Sequence, residues 1–223
     1  ELFNKAISLG SGEAAYELGL LYDDNDLGIE VDKTKAFDLF QKAESLGNVE
    51  SYGAIADYLL FGTMGYKDEN RAAEYAMKAA KAGIPVGMYD LAVCYDDGLG
   101  ISRDPYAACH WYKEYLNYFP DNAFSMYRIA CCLADPFQVY GIFPTNDDLQ
   151  EAYYYASQAV EKGNVDAHII IGWFYEMGNI VPQDFETSHK YIKIAADNGN
   201  EFAGELLKRY RKNIYGQYYV PNY

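Results

Sequence analysis

The chain repeats itself, and no other property restricts its fold as strongly. One element reads Ala, an aromatic or aliphatic residue three or four positions on, Ala, and then Gly. It appears as Ala36/Phe40/Ala43/Gly47, Ala72/Tyr75/Ala79/Gly83, Ala152/Tyr155/Ala159/Gly163 and Ser188/Tyr191/Ala195/Gly199. A form without the glycine is Ala108/Trp111/Tyr115/Phe119. Successive first members lie 36, 36, 44 and 36 residues apart. Such offsets put the side chains on one helical face, with Gly as a C-terminal stop. Four residues before the first members stand Asp32, Asp68, Asp104, Asp148 and Asp184. Each is a candidate N-cap, its carboxylate accepting from orphan backbone N–H groups of the first turn. These are the B helices.

A second element precedes each B helix: Leu18-Gly19, Ile55-Ala56, Leu91-Ala92, Ile129-Ala130 and Ile171-Gly172. Tyr22, Tyr95 and Tyr175 follow one turn later on the same face. The small residue lets a neighbouring helix approach closely. These are the A helices. The block is therefore helix A, loop, helix B and Gly turn, repeated about five times, which predicts an all-α solenoid.

These residues resemble the Sel1-like repeat, a relative of the tetratricopeptide repeat. The carrying motifs are Leu91-Ala92, Tyr95, Gly98-Leu99-Gly100-Ile101 and Asp104 in repeat three. Repeat one adds Leu18-Gly19, Tyr22, Gly28-Ile29, Asp32 and Lys35-Ala36, and repeat two ends Lys78-Ala79-Ala80-Lys81-Ala82-Gly83. The resemblance implies a right-handed α/α solenoid forming a single domain over 1–223, with repeats at about 11–47, 48–83, 84–121, 122–163 and 164–199. Partial, capping helices are expected at 1–10 and 200–213, followed by a tail at 214–223. Repeat three departs at Tyr118-Phe119-Pro120, repeat four carries extra residues in Ala134–Asn146, and repeat five has Thr187-Ser188 in place of Lys-Ala.

Composition narrows the partners. Eighteen Lys and Arg against 33 Asp and Glu give a formal charge of −15, which disfavours nucleic acid and anionic membrane surfaces. No apolar run approaches the ~20 residues of a spanning helix, so membrane insertion is not expected. Four cysteines, two of them adjacent at Cys131-Cys132, argue against a disulfide scaffold. Reduced thiols and a cytoplasmic setting are the expectation. The chain opens at Glu1 instead of Met, which leaves an upstream start and a targeting signal open.

No catalytic constellation emerges. Asp23-Asp24-Asn25-Asp26-Leu27-Gly28 imitates a calcium loop, but Leu27 and Thr34 occupy ligand positions. His110, His168 and His189 stand apart without metal-binding spacing, and Cys94 and Cys131 read as small packing residues. Neither a cofactor nor a metal is implied, and the chain is expected not to be an enzyme.

What remains is surface. By resemblance the A helices line a concave face. Counting by four and three opposite the packing stripe yields Tyr16, Leu20 and Asp23, then Gly53, Asp57 and Leu60, then Tyr89, Val93 and Asp96. Repeats four and five add Tyr127, Cys131, Ala134, Ile169, Trp173 and Glu176. The expected binding residues are Tyr16, Leu20, Asp23, Asp57, Tyr89, Val93, Asp96, Tyr127, Trp173 and Glu176. Such a groove suits a basic peptide or protein partner with apolar anchors. Lys208, Arg209, Arg211 and Lys212 crowd the last helix, which suits either capping of its C-terminus or docking onto an acidic partner or a second copy. The principal reading is a non-enzymatic adaptor or scaffold. The alternatives are a hydrolase of β-lactam or cell-wall compounds, of the cysteine-rich Sel1-like kind, and a structural spacer in a longer repeat protein.

Overall fold

The computed structural model describes residues 1–24, 28, 30–135 and 143–221. It is an all-α solenoid of helix pairs, and the chain forms two compact units, Glu1–Tyr118 and Phe119–Tyr223. The first holds α1 (Leu2–Ser8) and the pairs α2 (Gly12–Asp23) with α3 (Lys33–Ser45), α4 (Ser51–Phe61) with α5 (Glu69–Lys81), and α6 (Pro85–Asp97) with α7 (Pro105–Leu116). The second holds α8 (Ala123–Ala134) with α9 (Asn146–Glu161), and α10 (Ala167–Met177) with α11 (Phe185–Asp197). It ends with α12 (Glu201–Leu207) and the two short strands β1 (Arg211–Lys212) and β2 (Tyr218–Tyr219).

The B helices begin where the aspartates predict, with one exception. Asp32, Asp68, Asp104 and Asp184 each accept a first-turn backbone N–H. At α9 the cap is Thr145, not Asp148. Asp148 instead closes a capping box, its carboxylate accepting from the Thr145 backbone N–H at 2.8 Å. Loop closure is equally regular: the N–H groups of Asp32, Asp104 and Asp184 donate to the carbonyls of Tyr22, Tyr95 and Tyr175, each at 2.9 Å.

The B helices end in Schellman turns. Gly47 lies at φ +85°, its N–H donates to the Glu44 carbonyl, and the next N–H, of Asn48, reaches back to Ala43. Gly83, Gly163 and Gly199 repeat this pattern. At three junctions the residue after the glycine is an asparagine that leads into the next A helix. Asn48, Asn164 and Asn200 each accept from the backbone N–H three residues on. Repeat three has no such glycine, and the border between the two units falls there, after Tyr118.

The small A-helix residues are needed for close packing. A Cβ on Gly19 would stand 2.6 Å from the Phe40 ring, and one on Gly172 would stand 2.6 Å from Ile192 Cγ1 and 3.2 Å from the Ser188 carbonyl oxygen. Their counterparts Ala56, Ala92 and Ala130 are fully buried. The Thr187-Ser188 departure also has its reason here. Thr187 Oγ1 donates to the capping Asp184 at 2.6 Å, and Ser188 Oγ donates to the Gly172 carbonyl at 2.6 Å.

The last helix is shorter than its sequence pattern, because α12 stops at Leu207 and the chain turns into the β1–β2 hairpin. The tail folds back on the last repeat. Tyr218 stacks on His189 with centroids 3.8 Å apart, and its N–H donates to Glu186 Oε1 at 2.9 Å. The basic cluster is occupied locally: Lys208 pairs with Glu205, Arg209 with Glu176, Arg211 donates to the Lys208 and Tyr210 carbonyls, and Lys212 lies over the Tyr218 ring.

Gly172→Leu should cost roughly 1–3 kcal/mol in urea unfolding, as overpacked cores do. Gly204→Ala, whose added Cβ meets nothing within 4 Å, should be neutral or stabilising by up to about 1 kcal/mol. Equal midpoints for the two variants would contradict the close-approach account. The docked tail is testable by pH. Burial, aided by Lys193 and Lys212 and opposed by Glu186, holds His189 below the ordinary value of 6.5. With the tail undocked His189 therefore takes up the proton first, and acidification through that value should loosen the Tyr218 stack. Amide protection factors at Tyr218 and Tyr219 should fall as the pH drops; unchanged protection would contradict this.

Candidate functional site

The expected stripe divides into carboxylates that the fold consumes and apolar groups that it leaves partly open. Asp23 ends α2. Its Oδ1 accepts from Lys33 Nζ at 2.8 Å and from the Tyr58 hydroxyl, and its backbone carbonyl also accepts from Lys33. Burial, with Asp23 as acceptor, raises the Tyr58 phenol. Asp96, at the same position of α6, is fully buried. It accepts from the Tyr112 hydroxyl at 3.3 Å, and Arg103 Nε donates to its backbone carbonyl at 2.7 Å. In the second unit Glu176 accepts from Arg209 at 2.8 Å and from the Tyr210 hydroxyl at 3.0 Å, while Gln183 donates to its carbonyl at 2.8 Å.

The three positions thus share one device. An acidic residue in the last turn of the A helix takes a phenol, and a side chain from just before or just after the next N-cap satisfies its carbonyl. Asp96 is therefore interior, and the expectation that it faces a partner is corrected. Asp23 and Glu176 are half-buried and already paired. Gly53, Leu60, Ala134 and Ile169 from the same stripe are buried as well.

Asp57 differs. It is half-buried, and its carboxyl is raised by burial and by Asp23, with Lys33 opposing. The apolar members remain accessible to varying degrees. Leu20 is 38 % exposed. Tyr16, half-buried against the Phe40 ring, lines a cleft of about 460 Å³ bordered by Glu13, Glu17, Val49 and Glu50. Tyr89 is half-buried against Tyr112 and Tyr115, at 6.0 and 5.3 Å between ring centroids, and Val93 packs at the edge of the first unit's core. In the second unit Tyr127 is half-buried, its phenol raised by burial and by Cys131, and Trp173 sits beside Phe174 at 5.0 Å.

Sequence reasoning missed the groups that occupy these carboxylates: Tyr58, Lys33, Tyr112, Arg209 and Tyr210. A pairing across 35 residues, as between Asp23 and Tyr58, leaves no local signal. It also missed Asp90, which lies on α6 beside Tyr89. Asp90 is almost fully buried, and burial followed by Asp57 raises its carboxyl well above the usual range. A carboxylate between Met88 and Leu91, in an otherwise apolar stretch of helix, was the available signal.

All four cysteines are free thiols, and burial, then Asp90, pushes the Cys94 thiol up to about 12. Such a thiol is poorly suited to nucleophilic chemistry. Among the described residues no group of three or more His, Cys, Asp or Glu could hold a metal, and no helix is long and apolar enough to cross a membrane. The Asp23–Gly28 loop has Asn25, Asp26 and Leu27 outside the described residues, as are residues 136–142 of the repeat-four insertion.

Among curated proteins the chain is similar to the chitin synthase regulator SKT5 of Saccharomyces cerevisiae, with 32 % identity over 116 residues, 51 % of this chain and 17 % of that protein. It is also similar to chitin synthase regulatory factor 3 of Schizosaccharomyces pombe, with 27 % identity over 168 residues, 74 % of this chain and 18 % of that protein. It thus spans under a fifth of the length of either. Among solved structures, a protective antigen of uropathogenic Escherichia coli displaying an SLR fold superposes with a TM-score of 0.69 at 24 % identity, over 92 % of this chain and 42 % of that one. YrrB, a TPR protein with an unusual peptide-binding site, superposes with a TM-score of 0.65 at 18 % identity, over 93 % of this chain and 98 % of that one. These two likenesses concern the fold alone. The Sel1 repeat model matches residues 12–48, 50–84, 85–114, 123–164 and 165–200, so the chain belongs to the Sel1 repeat family.

Proposed function

We propose that the chain is a non-enzymatic docking segment that binds a protein partner on the A-helix faces, and that it serves the regulation of chitin synthesis. The supporting observation is the set of apolar groups left partly open once the carboxylates have been taken up internally: Tyr16, Leu20, Tyr89 and Val93 in the first unit, Tyr127 and Trp173 in the second. Aromatic side chains of this kind offer large contact area at low entropic cost, which suits them as anchors for a partner. The likeness to regulators of chitin synthases supports a synthase, or a protein bound to one, as the partner class. The fitting partner segment carries apolar anchors with Lys or Arg between them, in keeping with the charge of −15.

The test is capture of a co-expressed chitin synthase by the immobilised chain. Tyr89→Ala should weaken capture about tenfold, the ~1.4 kcal/mol of one interface anchor, with the helical circular-dichroism signal intact. Asp96→Ala should act differently. It strips the Tyr112 hydroxyl of a buried acceptor and should lower stability by roughly 1–3 kcal/mol. Undiminished capture by Tyr89→Ala would overturn docking on this face.

A further inference from the structure

Asp90 is 1 % exposed, and its Oδ2 has no hydrogen-bond partner. A bare buried acceptor is costly, and a buried carboxylate normally sits beside a cation. The neighbours of Asp90 are of the opposite kind. Asp57 on α4 lies close enough to raise it further, Cys94 is one turn along on α6, and Tyr115 is on α7. The cation within reach of Asp57 is Lys33, and Asp23 already holds Lys33 through both its carboxylate and its backbone carbonyl. Two carboxyl groups on successive A helices, one half-buried and one deep, are therefore near enough for Asp57 to raise Asp90, and the cation that acts on Asp57 is held by Asp23. The site lies beside the partly open Tyr89.

We propose that Asp57 and Asp90 form a receptor for one basic side chain, arginine or lysine, of a peptide bound along the A-helix face of the first unit. Asp57 forms the mouth and Asp90 the floor. Tyr89 packs against the aliphatic stem of the incoming residue, as amphipathic side chains prefer. A cation seated there is partly desolvated between two carboxyl groups, so its attraction is stronger than at the surface. This reading rests on docking at the A-helix face and adds the chemistry of one subsite.

The test is fluorescence anisotropy with a short labelled peptide of alternating leucine and arginine, against the same peptide with glutamine at each arginine. The wild-type chain should bind the arginine peptide at least tenfold more tightly than the glutamine peptide. Asp57→Asn and Asp90→Asn should each remove about tenfold of that preference and leave glutamine-peptide binding unchanged. Asp57 is half-buried where Asp90 is 1 % exposed, so Asp57→Asn decides the matter if Asp90→Asn fails to fold. Equal arginine preference in wild type and Asp57→Asn, or no preference in wild type, overturns the receptor. The same variants in synthase capture separate the two readings. Loss with Tyr89→Ala but not with either asparagine variant leaves docking standing and removes the receptor, whereas no loss with any of the three removes both.

Discussion

Three of the repeat junctions turn on a hand-over two residues long. The glycine that ends a B helix takes a positive φ, which lets the following N–H reach back to the helix, and the side chain of the residue bearing that N–H then accepts from the backbone three residues on, at the start of the next A helix. Gly47-Asn48, Gly163-Asn164 and Gly199-Asn200 do this in one stroke. One pair of residues thus ends one helix and leads into the next. Within the pairs themselves, Gly19 lets Phe40, and Gly172 lets Ile192, approach closely. Where the pair is replaced by Tyr118-Phe119, the chain divides into two compact units.

Elements governed by local chemistry were legible from the residues. Caps and Gly stops depend on neighbours within about one turn, so the Asp and Gly pattern announced them, and the small A-helix positions were announced by their recurrence in every repeat. Asp148 was misassigned because Thr145 and Asp148 satisfy each other reciprocally, and a three-residue offset hides which of them is the cap. The candidate site was less legible for a physical reason. Helical spacing says which side chains share a face, but not whether a later repeat sends a hydroxyl to meet them. Tyr58 comes to Asp23 from the next A helix, and Tyr210 comes to Glu176 from beyond α12. The apolar half of the stripe survived better, since nothing but contact area is asked of Tyr16, Leu20 or Tyr89.

The C-terminal tail follows the same logic by other means. Past α12 the chain builds no further A-type helix over the described residues, and the face of α11 is covered by the β1–β2 hairpin instead. Tyr210 takes the interior position, with its hydroxyl 2.6 Å from Ser188 Oγ, and Tyr218 lies flat on His189. Two aromatic residues thus complete, together with Ala203 and Leu206 of α12, a cover that a full following helix pair supplies elsewhere.

The acidity and the abundance of tyrosine, 33 Asp and Glu and 24 Tyr, are closely linked properties. Tyr58 with Asp23, Tyr75 with Glu44, Tyr112 with Asp96 and Tyr210 with Glu176 are each a phenol donating to a carboxylate. A phenol buries a broad ring and still offers a donor at its tip, so it can satisfy a carboxylate at a helix end without a second charge. Lysine or arginine in that place would have to lose more side-chain freedom and more hydration to do the same. The fold can therefore hold many carboxylates with few cations, and its net charge of −15 is not spread evenly as spare surface charge. Against that background Asp90 stands out. It is a deep carboxyl whose Oδ2 receives no phenol, amide or cation, in a protein that elsewhere supplies one from as far as the next repeat.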